Sequence, residues 1–236
     1  MSKFNATNDN IEWSKWTWNP VTGCLHDCAY CYARDIANRF PQAFPNGFEP
    51  AFYPERLSAP FDTKVPKSRI DEPGINNVFV CSMADLFGEW VNPEWIEQIL
   101  GVIDRAPQWN FLFLTKNPKR YLEFEFPENC WLGATADIQD RMDAALEVFY
   151  KLDRQENNNN VVFVSCEPLL EPITMYSDAD VLDWLIIGGQ SKTSKVPAMQ
   201  PQWEWVEDLL IEARSTEHCR VYFKPNLTVR PMEYPE

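Results

Sequence analysis

Three cysteines, Cys24, Cys28 and Cys31, fall within eight residues of the stretch CLHDCAYCYARDIANRF. Thiolates are the usual protein ligands of iron–sulfur clusters. Spaced as C-x3-C-x2-C on one loop, three of them would hold three corners of a [4Fe-4S] cluster, and no fourth cysteine lies beside them. An iron left without a protein ligand is open to the amine and carboxylate of S-adenosylmethionine (SAM). Such cofactors carry the difficult chemistry, while the protein supplies position and exclusion of water. Two plainer readings compete. A structural zinc site needs four ligands, so His26, Cys81 or His218 would have to complete it. Core thiols are the other alternative, but Cys28 and Cys31 flank a polar, helix-starting turn and not an apolar strand. Cys81, Cys130, Cys166 and Cys219 lie in or beside apolar runs and read as core residues.

The elements that must position this loop are legible as apolar runs. Val78–Ser82, Phe111–Thr115, Trp131–Thr135, Val161–Cys166, Trp184–Ile187 and Arg220–Lys224 are almost continuously apolar, as expected for strands buried on both faces. Trp16–Val21 supplies one more before the cysteines. Between the runs lie helical patterns: Ala29 to Phe40, ended by Pro41; a helix capped by Asn92 with Pro93 at its first position; one from Asp137, read as its cap, through Leu152; and one after Pro201 facing inward with Trp203, Val206, Leu210 and Ala213. Strands alternating with helices predict an α/β fold with a parallel sheet and right-handed crossovers, a complete or partial (β/α) TIM-like barrel in a single domain over 1–236. The ring of helices is imperfect, since Glu167–Asp183 carries two prolines and no long helical pattern. Pro41–Gly74, with seven prolines, reads as an irregular insertion or lid, and Asn157–Asn160 as a polar turn.

Composition bounds the rest. A formal net charge of −14 over 236 residues argues against a protein that coats DNA through its phosphates. Seven cysteines without an apolar leader favour metal or redox chemistry over a disulfide framework, and no apolar run is long enough to cross a bilayer. The expectation is a cytoplasmic protein with no membrane partner. Two histidines, His26 and His218, supply little for histidine-driven hydrolysis, and no P-loop glycine pattern occurs.

The cysteine spacing, with Tyr30 just before the last thiol, resembles the signature of radical SAM enzymes. The pieces WTWNPVTGC, CYA, VFVCSMADLF, FLFLTKNPKRY, WLGATAD, FVSCEPLLEPI, LDWLIIGGQS and VYFK, taken in order from Ile11 to Lys224, are similar to a phage-associated radical SAM-like family of unknown function. That resemblance implies a partial barrel of the radical SAM type with the cluster at the carboxyl ends of its strands, SAM as cofactor and a small electron-donor protein as partner. Sites of such barrels sit in the loops after each strand. Those loops carry Ser82 and Asp85, Thr115 and Lys116, Thr135 and Asp137, Glu167, Gly188 to Ser191, and Lys224. Tyr30, Asp85, Thr135, Glu167, Gly188 and Gly189 are the expected cofactor contacts. Each has a simpler role to set beside it: Asp85 as the cap of the turn ADLF, Asp137 as a helix cap, the glycine pair as a loop start. Glu167, Lys116 and Lys224 each follow a buried apolar run, where a charge needs a partner or a ligand.

Lys116, Lys192 and Lys224 are the expected substrate contacts. With Lys119, Arg120 and Lys195 they would form a cationic rim for an anionic substrate, such as a nucleotide or nucleic-acid base, with Trp16 and Trp18 available for stacking. The expected activity is reductive cleavage of SAM to a 5′-deoxyadenosyl radical; the alternative is a non-enzymatic module stabilised by zinc or a cluster. No hydrogen donor stands out among Cys81, Cys166 and Tyr32. Two departures from the pattern that the resemblance implies fall in the expected site: Gly-Gly-Glu-Ser-Gly is here Gly188-Gly189-Gln190-Ser191-Lys192, and Lys-Gln-Trp-Gly is Lys224-Pro225-Asn226-Leu227.

Overall fold

A computed structural model describes residues 2–7, 13–65, 67–154, 159–176 and 178–229. Of the expected Asn157–Asn160 turn, Asn157 and Asn158 lie outside the described residues, as does Ile11 at the start of the family-like motifs. In chain order the elements are β1 (Asn5–Ala6), β2 (Trp16–Trp18), β3 (Val21–Thr22), α1 (Tyr32–Arg39), β4 (Ala51–Phe52), α2 (Ala59–Asp62), β5 (Asn77–Val80), α3 (Pro93–Ile103), β6 (Asn110–Thr115), β7 (Cys130–Thr135), α4 (Gln139–Asp153), β8 (Val161–Cys166), β9 (Trp184–Ile187), α5 (Trp203–Arg214) and β10 (Arg220–Phe223).

The fold is α/β. One eight-stranded sheet runs in the order β1-β2-β5-β6-β7-β8-β9-β10, with every neighbour parallel except the β1–β2 edge pair. The inner strands β5 to β9 are almost continuously apolar because both faces are covered. Phe111, Phe113, Leu132, Ala134, Val162, Val164, Leu185 and Ile187 face the helices, where Ile96, Ile99 and Ile103 of α3, Phe149 of α4 and Leu209 of α5 complete the main core. The alternate residues Phe79, Leu112, Phe163 and Ile186 gather around Trp13 in a second core. Trp13 bridges strands four spacings apart, about 19 Å in a flat sheet: the Phe79 ring of β5 and the Trp184 ring of β9 lie 4.7 and 6.2 Å from its ring centroid.

Several sequence expectations change here. Val21 leaves the main sheet and pairs, with Thr22, antiparallel to β4. On α5 the buried positions are Val206, Leu209 and Ala213, so the inward stripe is one residue out of phase with Leu210. Asp137 is not the cap of α4. The cap position is Ile138, whose side chain offers no acceptor, and the Gln139 amide donates instead to Glu171 Oε1 at 2.8 Å. The Pro41–Gly74 segment runs down the β2 flank of the sheet: Phe48 O accepts the Cys24 amide at one end, and Pro60 O accepts the Trp109 indole at the other.

Candidate functional site

A parallel sheet presents the carboxyl ends of its strands on one edge, and the cysteine loop lies across that edge. It is tied to the loops that follow four different strands. Gly23 N–H donates to Met83 O at 2.8 Å, and the His26 ring meets Asp85, both after β5. Tyr30 reaches Lys116 after β6 and Asp137 after β7. Thr193 after β9 donates its hydroxyl to Ala29 O at 3.0 Å, and the Ser194 hydroxyl and amide donate to Asp35 on α1. Gly23 permits the close approach that begins the loop: its φ is +91°, and a Cβ there would collide with the backbone of Glu49 and Pro50.

All three thiols are partly exposed, whereas Cys81, Cys130, Cys166 and Cys219 are buried as core residues. Cys24 and Cys31 pack on one side against the buried cluster of Ala33, Ala37 and Phe48, as do Phe44 and Met83. Cys31 caps α1, its sulfur accepting the Arg34 amide at 3.4 Å, and the Arg34 guanidinium donates to Cys24 O at 3.0 Å. Burial pushes the Cys24 thiol up to about 12 and also raises Cys31. Cys28 stands within electrostatic reach of Tyr30, Lys116 and Arg141. Among the described residues no three His, Cys, Asp or Glu side chains form a ready metal-ligating group. The zinc-completing candidates are engaged elsewhere: His26 with Asp85, His218 with Asp180 O, and Cys81 in the core.

Asp85 anchors the loop. Its buried carboxylate accepts from Thr115 Oγ1 at 2.6 Å, His26 Nε2 at 2.8 Å, the Lys116 amide at 2.9 Å and the Phe87 amide at 3.1 Å. The turn-capping role expected from the sequence is therefore real, and three further donors join it. A carboxylate only accepts, which puts the His26 proton on Nε2.

Two charged groups flank this anchor. In the first, the Tyr30 hydroxyl donates to Asp137 and accepts from Lys116 Nζ at 2.6 Å; Lys116 also lies 3.4 Å from Asp137, and Arg141 donates to the other Asp137 oxygen. Burial acts to raise Asp137, but Lys116, the Tyr30 hydroxyl and Arg141 outweigh it and hold the carboxyl below its ordinary value. Burial lowers Lys116 despite Asp137. Thr135, buried at the end of β7, lies two residues from Asp137. The second group closes β8, β9 and β10: Lys224 Nζ pairs with Glu167 Oε1 at 2.5 Å, and burial raises Glu167 against that attraction. Gly188 makes room for the pair, since a Cβ there would sit 3.1 Å from Glu167 Cγ and 3.3 Å from Lys224 Cδ. Asn226 donates to Gly189 O at 2.8 Å and accepts the Gly189 amide at 3.3 Å.

Thus Tyr30, Asp85, Lys116 and Asp137 meet under the cysteine loop, while Glu167, Gly188, Gly189 and Lys224 form a neighbouring group. Lys192 stands apart. It is exposed on the loop after β9, lining a 550 Å³ cleft with Asp35 and Arg39 of α1. Arg120 of the expected rim is buried and donates to Gly88 O and Val91 O. Arg141 escaped the sequence reading, although its place four residues after Asp137 on a helix is a recognisable pairing signal. The ties made by Thr193 and Ser194 left no such signal, because their partners are more than 150 residues away.

A family profile described as a protein of unknown function (DUF5131) matches residues 8–225. No curated protein and no solved structure matches the chain.

Proposed function

We propose that this chain, which belongs to the DUF5131 family, is a radical SAM enzyme whose Cys24, Cys28 and Cys31 hold a [4Fe-4S] cluster on a partial (β/α) barrel. The observation that carries the reading is the placement of the loop. Its three partly exposed thiols sit across the carboxyl edge of the parallel sheet, tied to loops from four strands, while the four remaining thiols are buried. The donor set fits: thiolates are what such a cluster takes, and no fourth cysteine shares the loop. When bound, the cluster and SAM supply one-electron cleavage of the sulfonium C5′–S bond, giving methionine and a 5′-deoxyadenosyl radical that takes a hydrogen atom from substrate, the electron coming from a reduced donor protein.

The chain's own residues would do the rest. Cys24 and Cys31, raised by burial, release their protons on metal uptake. His26 and Asp85 hold the loop down, and Tyr30, Lys116 and Asp137 fix its far end. Glu167, paired with Lys224 beside Gly188 and Gly189, offers a carboxylate and backbone groups to the polar parts of SAM, and Thr135 closes the β7 side. Lys192, which lines the α1 cleft, would meet an anionic substrate entering from that side.

Anaerobic reconstitution with iron and sulfide tests this. A brown protein, a reduced-cluster resonance that changes on adding SAM, and 5′-deoxyadenosine as product are expected. Stoichiometric zinc without SAM cleavage would overturn it in favour of a metal-stabilised binding module.

A further inference from the structure

On the β1–β2 side of the cysteine loop lies a cavity of about 360 Å³ that the radical reading does not use. The chain carries 35 acidic residues, yet none of the described residues lining this cavity is acidic. Two of them, Lys3 and Arg56, are cations. Neither is ion-paired with a carboxylate among the described residues.

Arg56 is held ready. One guanidinium nitrogen donates to Asn19 O at 2.8 Å, and the group lies over the Tyr53 ring at 3.9 Å. Those contacts fix its plane and leave other N–H groups of its five without an acceptor among the described residues. The buried threonines Thr17 and Thr22 also line the cavity, and among the described residues their hydroxyls are not spent on internal hydrogen bonds. Phe44 and Met83 supply an apolar wall, and both pack against the Ala33, Ala37 and Phe48 cluster beside the cysteine loop.

We propose that this cavity is a binding site for a phosphate group. An oxyanion with three or four acceptor oxygens uses a fixed guanidinium, an ammonium and two hydroxyls together, which water or a neutral ligand does not. The apolar wall and the volume suit a phosphate carried on a small organic body, of the size of a nucleoside monophosphate. The site stands whether or not the cysteines hold iron, so it is measured without reconstitution.

Calorimetric titration of the chain with inorganic phosphate and with adenosine monophosphate tests it. Binding of phosphate at millimolar concentration or below is expected. Tighter binding of the monophosphate would assign an organic body, and equal affinity would assign free phosphate. Lys3→Glu, at an exposed position, and Arg56→Gln should each weaken binding about tenfold or more. If Arg56→Gln fails to fold, Lys3→Glu decides alone. No heat from either probe with the wild-type chain, or unchanged affinity in the folded variants, would overturn the proposal.

Discussion

Replacing Asp85 by asparagine separates an anchoring role from a cofactor contact. The carboxylate accepts four hydrogen bonds, two on each oxygen: Thr115 Oγ1 and the Phe87 amide on one, His26 Nε2 and the Lys116 amide on the other. An asparagine of the same shape keeps the first pair on its carbonyl oxygen. Its NH2 group then faces the Lys116 amide, or the Phe87 amide if flipped, so either orientation leaves a backbone N–H without its acceptor, and the remaining bonds lose their charge assistance. Hydrogen bonds to charged groups contribute about 1.5–3 kcal/mol each, and local relaxation recovers part, so a net loss of about 3 kcal/mol is expected. For a chain of this size that lowers Tm by about 6–12 °C. Because His26 sits on the cysteine loop, iron bound per chain after reconstitution should fall in the same variant. Asp27→Asn is the control: Asp27 is also on the loop, but its side chain is 70% exposed and pairs only with Lys195 and Arg34 at the surface, so Tm should not move. An Asp85→Asn protein that melts with the wild type and binds the same iron would refute the anchoring argument.

Other outcomes follow from the same geometry. Alanine at Cys24, Cys28 or Cys31 should abolish iron binding, whereas Cys130→Ala and Cys166→Ala should keep the iron content and lose about 1 kcal/mol of stability through the cavities they leave, read by urea denaturation. Gly23→Ala forces a Cβ into the backbone of Glu49 and Pro50 at a φ of +91°; a loss of about 2 kcal/mol or more is expected, with disturbed iron uptake. Tyr30→Phe removes the hydroxyl between Lys116 and Asp137 and should cost about 1–2 kcal/mol in the same assay. Asp137 is held below its ordinary 3.8. A carboxyl depressed in the folded state adds stability above its unfolded value and loses it as pH falls through the folded one. Acid titration of stability should therefore show a decline below about pH 4 that is shallower in Asp137→Asn.

How much of this was legible in the sequence depends on whether the controlling contact is local. The start of α3 was readable to the residue because Asn92 and Pro93 are neighbours in sequence, and the Asn92 side chain accepts the Glu94 amide at 2.9 Å as its type demands. All six apolar runs became strands, since a stretch apolar on both faces has few other places to go. Asp137 misled for the opposite reason. Its position before a helical pattern signals a cap, but Glu171 takes over that function from a distant loop and frees Asp137 for Tyr30, Lys116 and Arg141. Lys116 and Lys224 were rightly singled out as charges ending buried strands. What the sequence withheld was that each already has a carboxylate of this chain as partner.

The two positions at which the resemblance implies other residues, Gln190 and Asn226, find local partners in neighbouring loops. Gln190 donates its side-chain amide to Pro197 O at 2.7 Å, closing the turn whose backbone pairs Gln190 with Met199. A glutamate there has no N–H to give. Asn226, where the pattern has tryptophan, links Gly189 and Ser191 after β9 to the end of β10, and Gln200 donates to its carbonyl at 2.8 Å. Gln190 and Asn226 thus supply neutral ties within and between the loops after β9 and β10. Among the described residues lining the α1 cleft, Lys192 and Arg39 face a single carboxylate, Asp35, which accepts from Ser194. An incoming anion therefore meets less repulsion on this side of the loop than the net charge of −14 would suggest.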